Sequence, residues 1–305
     1  MKWDAELPRF LYGCFDWRVN GLHWDQPPEI DLLSGEALDA DNPWIVLAAV
    51  VERAKQGDHR QAPRLAHFAT QKEPFALDRV SLLALGEIAL SKDLDLVEHV
   101  LRADDGEARV HAAEAAALSG ALRLVPAMLS AWLRAESGID HDVIGFALSG
   151  MLEAAGGPIA NHVDIFNVPR PTGPPPPGMD PEAWQRLVEA PPYPPSPFPE
   201  LVQEAHARLE KAYGADGVVW QGRPMNIVSL AQQFLAQAKS DERHNFIDLR
   251  HRFESYTGID CRKFYFAMEP QRLQMAAVLE DFLNSREATG YQPGRRYFFG
   301  HQIRD

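Results

Sequence analysis

The chain of 305 residues has only two cysteines, Cys14 and Cys261. Two thiols cannot build a disulfide framework, so both are expected to be free, in a reducing compartment. No run of about 18 apolar residues occurs, which excludes a transmembrane helix. The opening residues Met1 to Glu6 turn acidic at once and lack the apolar segment of a secretory signal. A cytoplasmic location is the expectation. Basic residues are scarce too: 30 Lys and Arg stand against 43 Asp and Glu, a formal net charge of −13. That sign is repelled by nucleic-acid phosphates and by anionic lipid, so neither direct nucleic-acid binding nor membrane binding is expected. Phosphate-cradling loops of the G-x-x-x-x-G-K-[ST] and G-x-G-x-x-G kinds are missing, as is the G-x-S-x-G nucleophile motif. No strand-rich region exists to host a nucleotide fold. No cofactor is expected, and the expectation for catalysis is a non-enzymatic protein.

What is present suits a globular chain: 46% of the residues are hydrophobic and 24% charged. At roughly 100–200 residues per domain, the length allows about two domains or one elongated array. Proline marks the main boundary. Thirteen of the 24 prolines fall between Pro169 and Pro199. Proline lacks a backbone N–H and fixes φ, so this stretch reads as an extended linker. One short helix is expected inside it, with Asp180 as N-cap and Pro181 at the first helical position. The divisions are therefore an aromatic N-terminal cap over 1–35, helical repeats over 36–157, a proline-rich linker over 158–198 and a helical block over 199–305.

The repeat region reads as seven helices. Asn42-Pro43 opens the first and Gly57 closes it. A second spans about Pro63 to Thr70. A third carries Leu82, Leu85, Gly86 and Ala89 on one face, and a fourth follows Asp93. Asp104 or Asp105 caps a fifth that ends at Gly120. A sixth shows Leu122, Val125, Leu129, Trp132 and Leu133 on one stripe. Asp140 caps the seventh, which ends near Gly156. Val46, Val80, Val110 and Val143 open equivalent helices, spaced 34, 30 and 33 residues apart. Stacked pairs of this kind share a core that one pair cannot bury alone, so the four valines are expected on one shared core. Small residues, Gly86, Ala116 and Ser149, follow the last three valines at equal spacing and would admit a neighbouring helix. Beyond the linker, helices are expected over Pro199–Tyr213, Asn226–Ala238 and Asp241–Thr257, with a fourth starting at Glu269-Pro270. The chain ends in a non-helical aromatic tail around Tyr297-Phe298-Phe299.

The runs Glu107–Gly120 and Asp78–Gly86 resemble HEAT-like repeat helices. The fold expected is all-α: a short HEAT-like α-solenoid, the linker and the C-terminal block. The aromatic tail, the Thr257–Cys261 element and the helix through Leu279 and Phe282 resemble a bacterial group of HEAT-repeat immunity proteins of polymorphic toxin systems. That resemblance covers about residues 220–305. It implies a cytoplasmic protein that neutralises a cognate toxin by binding and occluding it, and it supplies no contact residues. The same architecture also hosts scaffolds and enzymes of the DNA glycosylase and lyase types, which stay open as alternatives.

Charge location suggests where a partner would bind. Residues 36–156 hold 19 acidic and 11 basic residues, while 199–305 hold 14 of each. If the toxin is a basic nuclease, the acidic repeats would steer its approach. The candidate partner-binding residues are Asp104, Asp105, Glu107, Asp140 and Asp142, at the starts of repeat helices. Other constellations read more plainly. His244, Asp248 and His251 share a helical face at metal-ligand spacing, but Arg243, Arg250 and Arg252 crowd it, so a polar helix face with a His–Asp pair is preferred and no metal is expected. His111 with Glu114, and His206 with Glu210, read as local pairs. Cys261 beside Arg262-Lys263 could be an activated thiol. Its plainer reading is a buried side chain at a helix start with Asp260 as N-cap.

Overall fold

The structure is a computed structural model. It describes residues 7–11, 22–24, 26–71, 76–163, 174–175, 178–182, 184–185, 196–242, 244–266 and 269–304. The described chain is mostly helical, with three two-stranded antiparallel hairpins. No helix among the described residues is long and apolar enough to cross a membrane.

The helices begin where local chemistry says they should. After a short α1 (Gly35–Leu38), α2 (Pro43–Lys55) starts with the Asn42 side chain accepting from Trp44 N–H and with Pro43 at the first position. That proline has no N–H to lose there. The segment expected as a helix over Pro63–Thr70 is instead a 3-10 helix, His59–His67. Pro63 lies inside it and cannot donate, which disfavours an α-helix there. Then follow α3 (Leu77–Ile88), α4 (Asp95–Leu101), α5 (Gly106–Ser119), α6 (Val125–Leu133) and α7 (Gly138–Leu152). Asp105, not Asp104, caps α5. Ser137, not Asp140, caps α7, accepting from Asp140 N–H at 3.1 Å. Serine fills that role as readily as aspartate.

Helices α3, α5 and α7 pack one against the next, while α4 and α6 pack on α5 and on each other. Gly86 makes the first of these contacts possible. A Cβ there would lie 2.2 Å from the Ala115 carbonyl oxygen of α5. The valine register holds only in part. Val46 and Val80 are buried in the core and Val110 is half-buried against it. Val143 is half-buried and lines an open cleft instead. It faces the space between α5 and α7 that Trp220, Asp248 and Arg252 border from the later chain.

Helix α8 (Phe198–Tyr213) belongs to this first core. It packs on α6 and α7, and Phe198 stacks on Trp132 with ring centroids 4.4 Å apart. The boundary drawn at 199 therefore does not separate the two cores. The expected extended course of 169–199 lies largely outside the described residues. Within it, Trp184 N–H donates to the Asp180 carbonyl and Glu182 N–H to the Asp180 side chain, as at a helix start. Of the N-terminal aromatics, Phe10 is buried in the first core; Trp3, Tyr12, Phe15 and Trp17 lie outside the described residues.

The second core holds α9 (Ile227–Lys239), α10 (Ile247–Thr257) and α11 (Arg272–Asn284). Phe234, Phe246, Phe253 and Phe264 fill it, Phe234 meeting the other three within 6.5 Å. Two helix starts differ from expectation. Residues 241–242 and 244–246 are not helical: Phe246 turns into the core and Arg272 holds the Ser240 and Glu242 carbonyls. Glu269-Pro270 is strand β4, paired with β3 (Tyr265–Phe266), so α11 starts at Arg272. A proline with no N–H fits an edge strand as well as a first helical position.

The C-terminal block closes on the helix ends of the first core. The last carbonyls of an α-helix have no partner within it. Here the later chain supplies donors to three helices in turn. For α3, Arg296 donates to Ala89 O at 2.6 Å, Gly86 O at 2.8 Å and Glu87 O at 3.2 Å. For α5, Arg252 donates to Ala117 O at 2.8 Å, and Val219 N–H of β1 (Val219–Trp220, paired with β2, Arg223–Pro224) donates to Gly120 O at 2.8 Å. For α7, Gln221 and Gly222 N–H donate to Gly150 O and Met151 O at 3.0 and 2.9 Å. A cation at a helix C-terminus also meets the negative end of the helix dipole. The tail hairpin β5–β6 (Tyr297–Phe298 with His301–Gln302) completes the closure, with Phe298 fully buried.

Candidate functional site

Two surface features carry chemistry. The first is the edge where α5 and α7 begin. Asp104 and Glu107 are exposed, while Asp105, Asp140 and Asp142 are half-buried. The Asp105 carboxylate accepts from Ala108 N–H at 3.2 Å, so it is held as a cap. Asp140 reaches across from α7: its Oδ2 lies 3.6 Å from where a Cβ on Gly106 would sit. The fold thus brings the candidate acids of two helices together. Asp142 sits two positions further into α7, and its Oδ1 has no hydrogen-bond partner among the described residues.

The nearby arginines are turned to backbone rather than to these carboxylates. The Arg109 guanidinium is buried and donates to the Ala103, Asp104 and Arg134 carbonyls. Arg134 donates to the Leu101 and Arg102 carbonyls. Both arginines spend their donors on backbone, and Asp104 and Glu107 are exposed. Beside them, Leu133 is 60% and Ile139 75% exposed. The sequence placed Leu133 on the apolar stripe of its helix; in the fold it lies outside the core, at the end of α6.

The second feature is the open cleft, of about 330 Å³, between α5, α7, β1 and α10. Glu114, Leu118, Val143, Phe146, Trp220, Asp248, His251 and Arg252 line it. The His–Asp pair expected among His244, Asp248 and His251 does not form with His251: it pairs with Glu87 of α3, His251 Nε2 lying 2.6 Å from Glu87 Oε1, both side chains buried. Sequence spacing could not show this contact, which joins residues 164 apart. His244 faces Glu242 at 3.8 Å rather than joining His251. Glu114 lies 3.6 Å from Arg79 and 3.9 Å from His111. His206 meets the Leu122 carbonyl, not Glu210.

Among the described residues, one acidic and histidine cluster is tight enough for a metal: His23, Glu254 and Asp260. Its groups are already engaged. Leu22 N–H donates to Glu254 Oε1, His23 Nε2 lies 3.1 Å from the Gly258 carbonyl, and Arg262 grips both Asp260 oxygens. The bonds from Arg262 hold the Asp260 carboxyl down at about 2.

That same grip settles Cys261. Arg262 is turned to Asp260, and the thiol is buried and donates to the Ile259 carbonyl at 3.3 Å. Burial pushes its pKa well above the usual thiol value, with the Glu254 charge adding to the rise. An activated thiolate is therefore the wrong reading, because desolvation outweighs the adjacent cations. In a Cys14→Ser background, the native protein should react with Ellman's reagent at least about 100-fold more slowly than after unfolding in urea. Equal rates would show that the thiol is accessible.

No family model matches the chain, and no curated protein or solved structure does.

Proposed function

We propose that this protein is a specific protein-binding module, a HEAT-like helical array that neutralises a cognate bacterial toxin by covering it. One observation carries the reading: an acidic edge at the start of α5, exposed Asp104 and Glu107 with the cap Asp105, is met by Asp140 of α7, and the α6–α7 turn that carries Asp140 also exposes the apolar Leu133 and Ile139. Apolar surface flanked by charge of one sign is the composition of a recognition surface for an oppositely charged partner. The toxin class comes from the resemblance to immunity proteins, and its basic character from complementarity to this edge.

The enzymatic alternatives, glycosylase or lyase, would place their chemistry in the cleft. Its charged side chains, Glu114, Asp248, His251 and Arg252, are a mixed set without a basic surplus. A nucleic-acid enzyme needs a basic face. A general scaffold differs from an immunity protein in its gene neighbourhood, since the latter sits beside its toxin.

The structure also selects the variant. Asp105 is a cap, so replacing it mixes stability with binding. Asp104→Lys with Glu107→Lys reverses the exposed pair alone. The double variant should lose about 0.5–2 kcal/mol and stay folded, because Glu107 lies in the first turn of α5 and a lysine there opposes the helix dipole. It should bind the toxin encoded beside it about 10- to 100-fold more weakly and protect cells poorly. A folded double variant with unchanged affinity and protection would remove the edge from the interface. A neighbourhood without a toxin gene would remove the immunity reading.

A further inference from the structure

The cleft has a chemical bias that its mixed charge conceals. His251 is buried, and its Nε2–H donates to the Glu87 carboxylate at 2.6 Å. Its other nitrogen, Nδ1, is buried and has no hydrogen-bond partner among the described residues. Asp248, one helical turn before it on α10, is exposed and makes no hydrogen bond with a described residue. Glu114 offers a second carboxylate from α5, steadied by Arg79 and His111. The cation of the cleft, Arg252, turns donors to the Ala117 and Leu118 carbonyls, and its guanidinium lies 5.8 Å from the Trp220 ring.

The remaining walls are aromatic and apolar. Trp220 is half-buried, Phe146 is 51% exposed, and Val143 and Leu118 lie with them. The Asp248 and Glu114 carboxylates call for a ligand rich in N–H donors. Aromatic faces beside them favour a cation. The volume, about 330 Å³, is at the small end for ligand sites and suits one side chain or a small molecule. A metal is not the fit, because the cleft's acids and His251 do not converge into a metal-sized cluster.

We propose that the cleft between α5, α7 and α10 is an anchor pocket for a guanidinium group, an arginine side chain of the bound protein. This rests on the protein-binding reading above and adds a second contact to it. The arginine would donate to Asp248 and lie against Trp220 and Phe146. Anchors of this type, buried in a small pocket and flanked by a charged rim, are where interface energy concentrates.

The test uses the full chain and a defined probe, Nα-acetyl-arginine amide. The Trp220 indole N–H resonance, assigned with Trp220→Phe, reports on the cleft. The probe should shift it saturably, and the neutral citrulline analogue should not. Asp248→Asn, at an exposed position, should weaken the probe about tenfold, as the loss of one charge-assisted contact does. Phe146→Ala should weaken it as well. No shift of Trp220, an equal response to citrulline, or an unaffected Asp248→Asn would each overturn the assignment. The two readings fail separately. A silent cleft in a protein whose Asp104→Lys, Glu107→Lys variant loses its partner removes only the anchor pocket. Arginine binding in a protein whose double variant keeps its partner leaves the pocket and removes the acidic edge.

Discussion

Arg296→Ala should cost about 3–5 kcal/mol of unfolding free energy, the range for breaking a buried, fully engaged charge. Three carbonyls at the end of α3 depend on this one guanidinium: Gly86, Glu87 and Ala89. Each acceptor left buried and unpaired costs roughly 1–3 kcal/mol. Water entering the vacated space would offset part of that. The side chain also ties the tail hairpin to the first core, so its loss weakens the joint between the two cores. Arg296→Lys should recover little, because a single ammonium cannot match the planar fork that spans three carbonyls. Urea unfolding followed by far-UV circular dichroism checks this. A loss below about 1 kcal/mol would mean that the carbonyls find other partners readily.

Gly86→Ala should destabilise by about 2–3 kcal/mol, the cost of overpacking a tight core. Helix propensity alone argues the opposite, since alanine in a helix interior gains about 1 kcal/mol over glycine. The packing decides the sign. The new methyl would sit 2.2 Å from the Ala115 carbonyl oxygen, and 2.7 and 2.8 Å from two more backbone atoms of the same residue. Backbone cannot rotate away as a flexible side chain can, so α3 and α5 must move apart. The residues around them, Leu82, Leu85 and Ala112, are fully buried and would lose contact together. Thermal unfolding of the variant gives the sign directly. A rise in Tm would show that α3 and α5 are not in close contact at this point.

What the sequence made legible follows the range of each interaction. Asn42, Asp105 and Asn226 act as caps within three residues of themselves, and Gly120 and Gly258 end helices at positive φ. Such features are local and can be read directly. The mostly helical character followed from the apolar periodicity in the same way. The smallness of Gly86 was visible too, although not the backbone it faces. Competing local chemistry misled at Asp140, where Ser137 is an equally good cap, and at Glu269-Pro270, where proline suits two structures. The contacts that join the cores were not legible. Arg252 reaches a carbonyl 135 residues away and Arg296 one 210 residues away. Neither leaves a periodic trace, and each reads in isolation as an ordinary charged residue.

The candidate site divides along the same line. The acids at the starts of α5 and α7 were visible as residues, and their convergence needed the packing of the two helices. Their unequal exposure also had to come from the fold, since a cap and a free surface carboxylate have the same letter. The cleft was not anticipated at all. Its parts come from α5, α7, β1 and α10, which the sequence assigned to separate blocks.

The most direct measurement of the central claim is the association rate of the purified toxin with this protein as a function of salt. An interface steered by the Asp104 and Glu107 edge should lose about tenfold in association rate between about 50 and about 500 mM salt, with dissociation changing less. The Asp104→Lys, Glu107→Lys variant should start lower and show a flatter dependence. An association rate that ignores salt, and that is the same for wild type and variant, would contradict it.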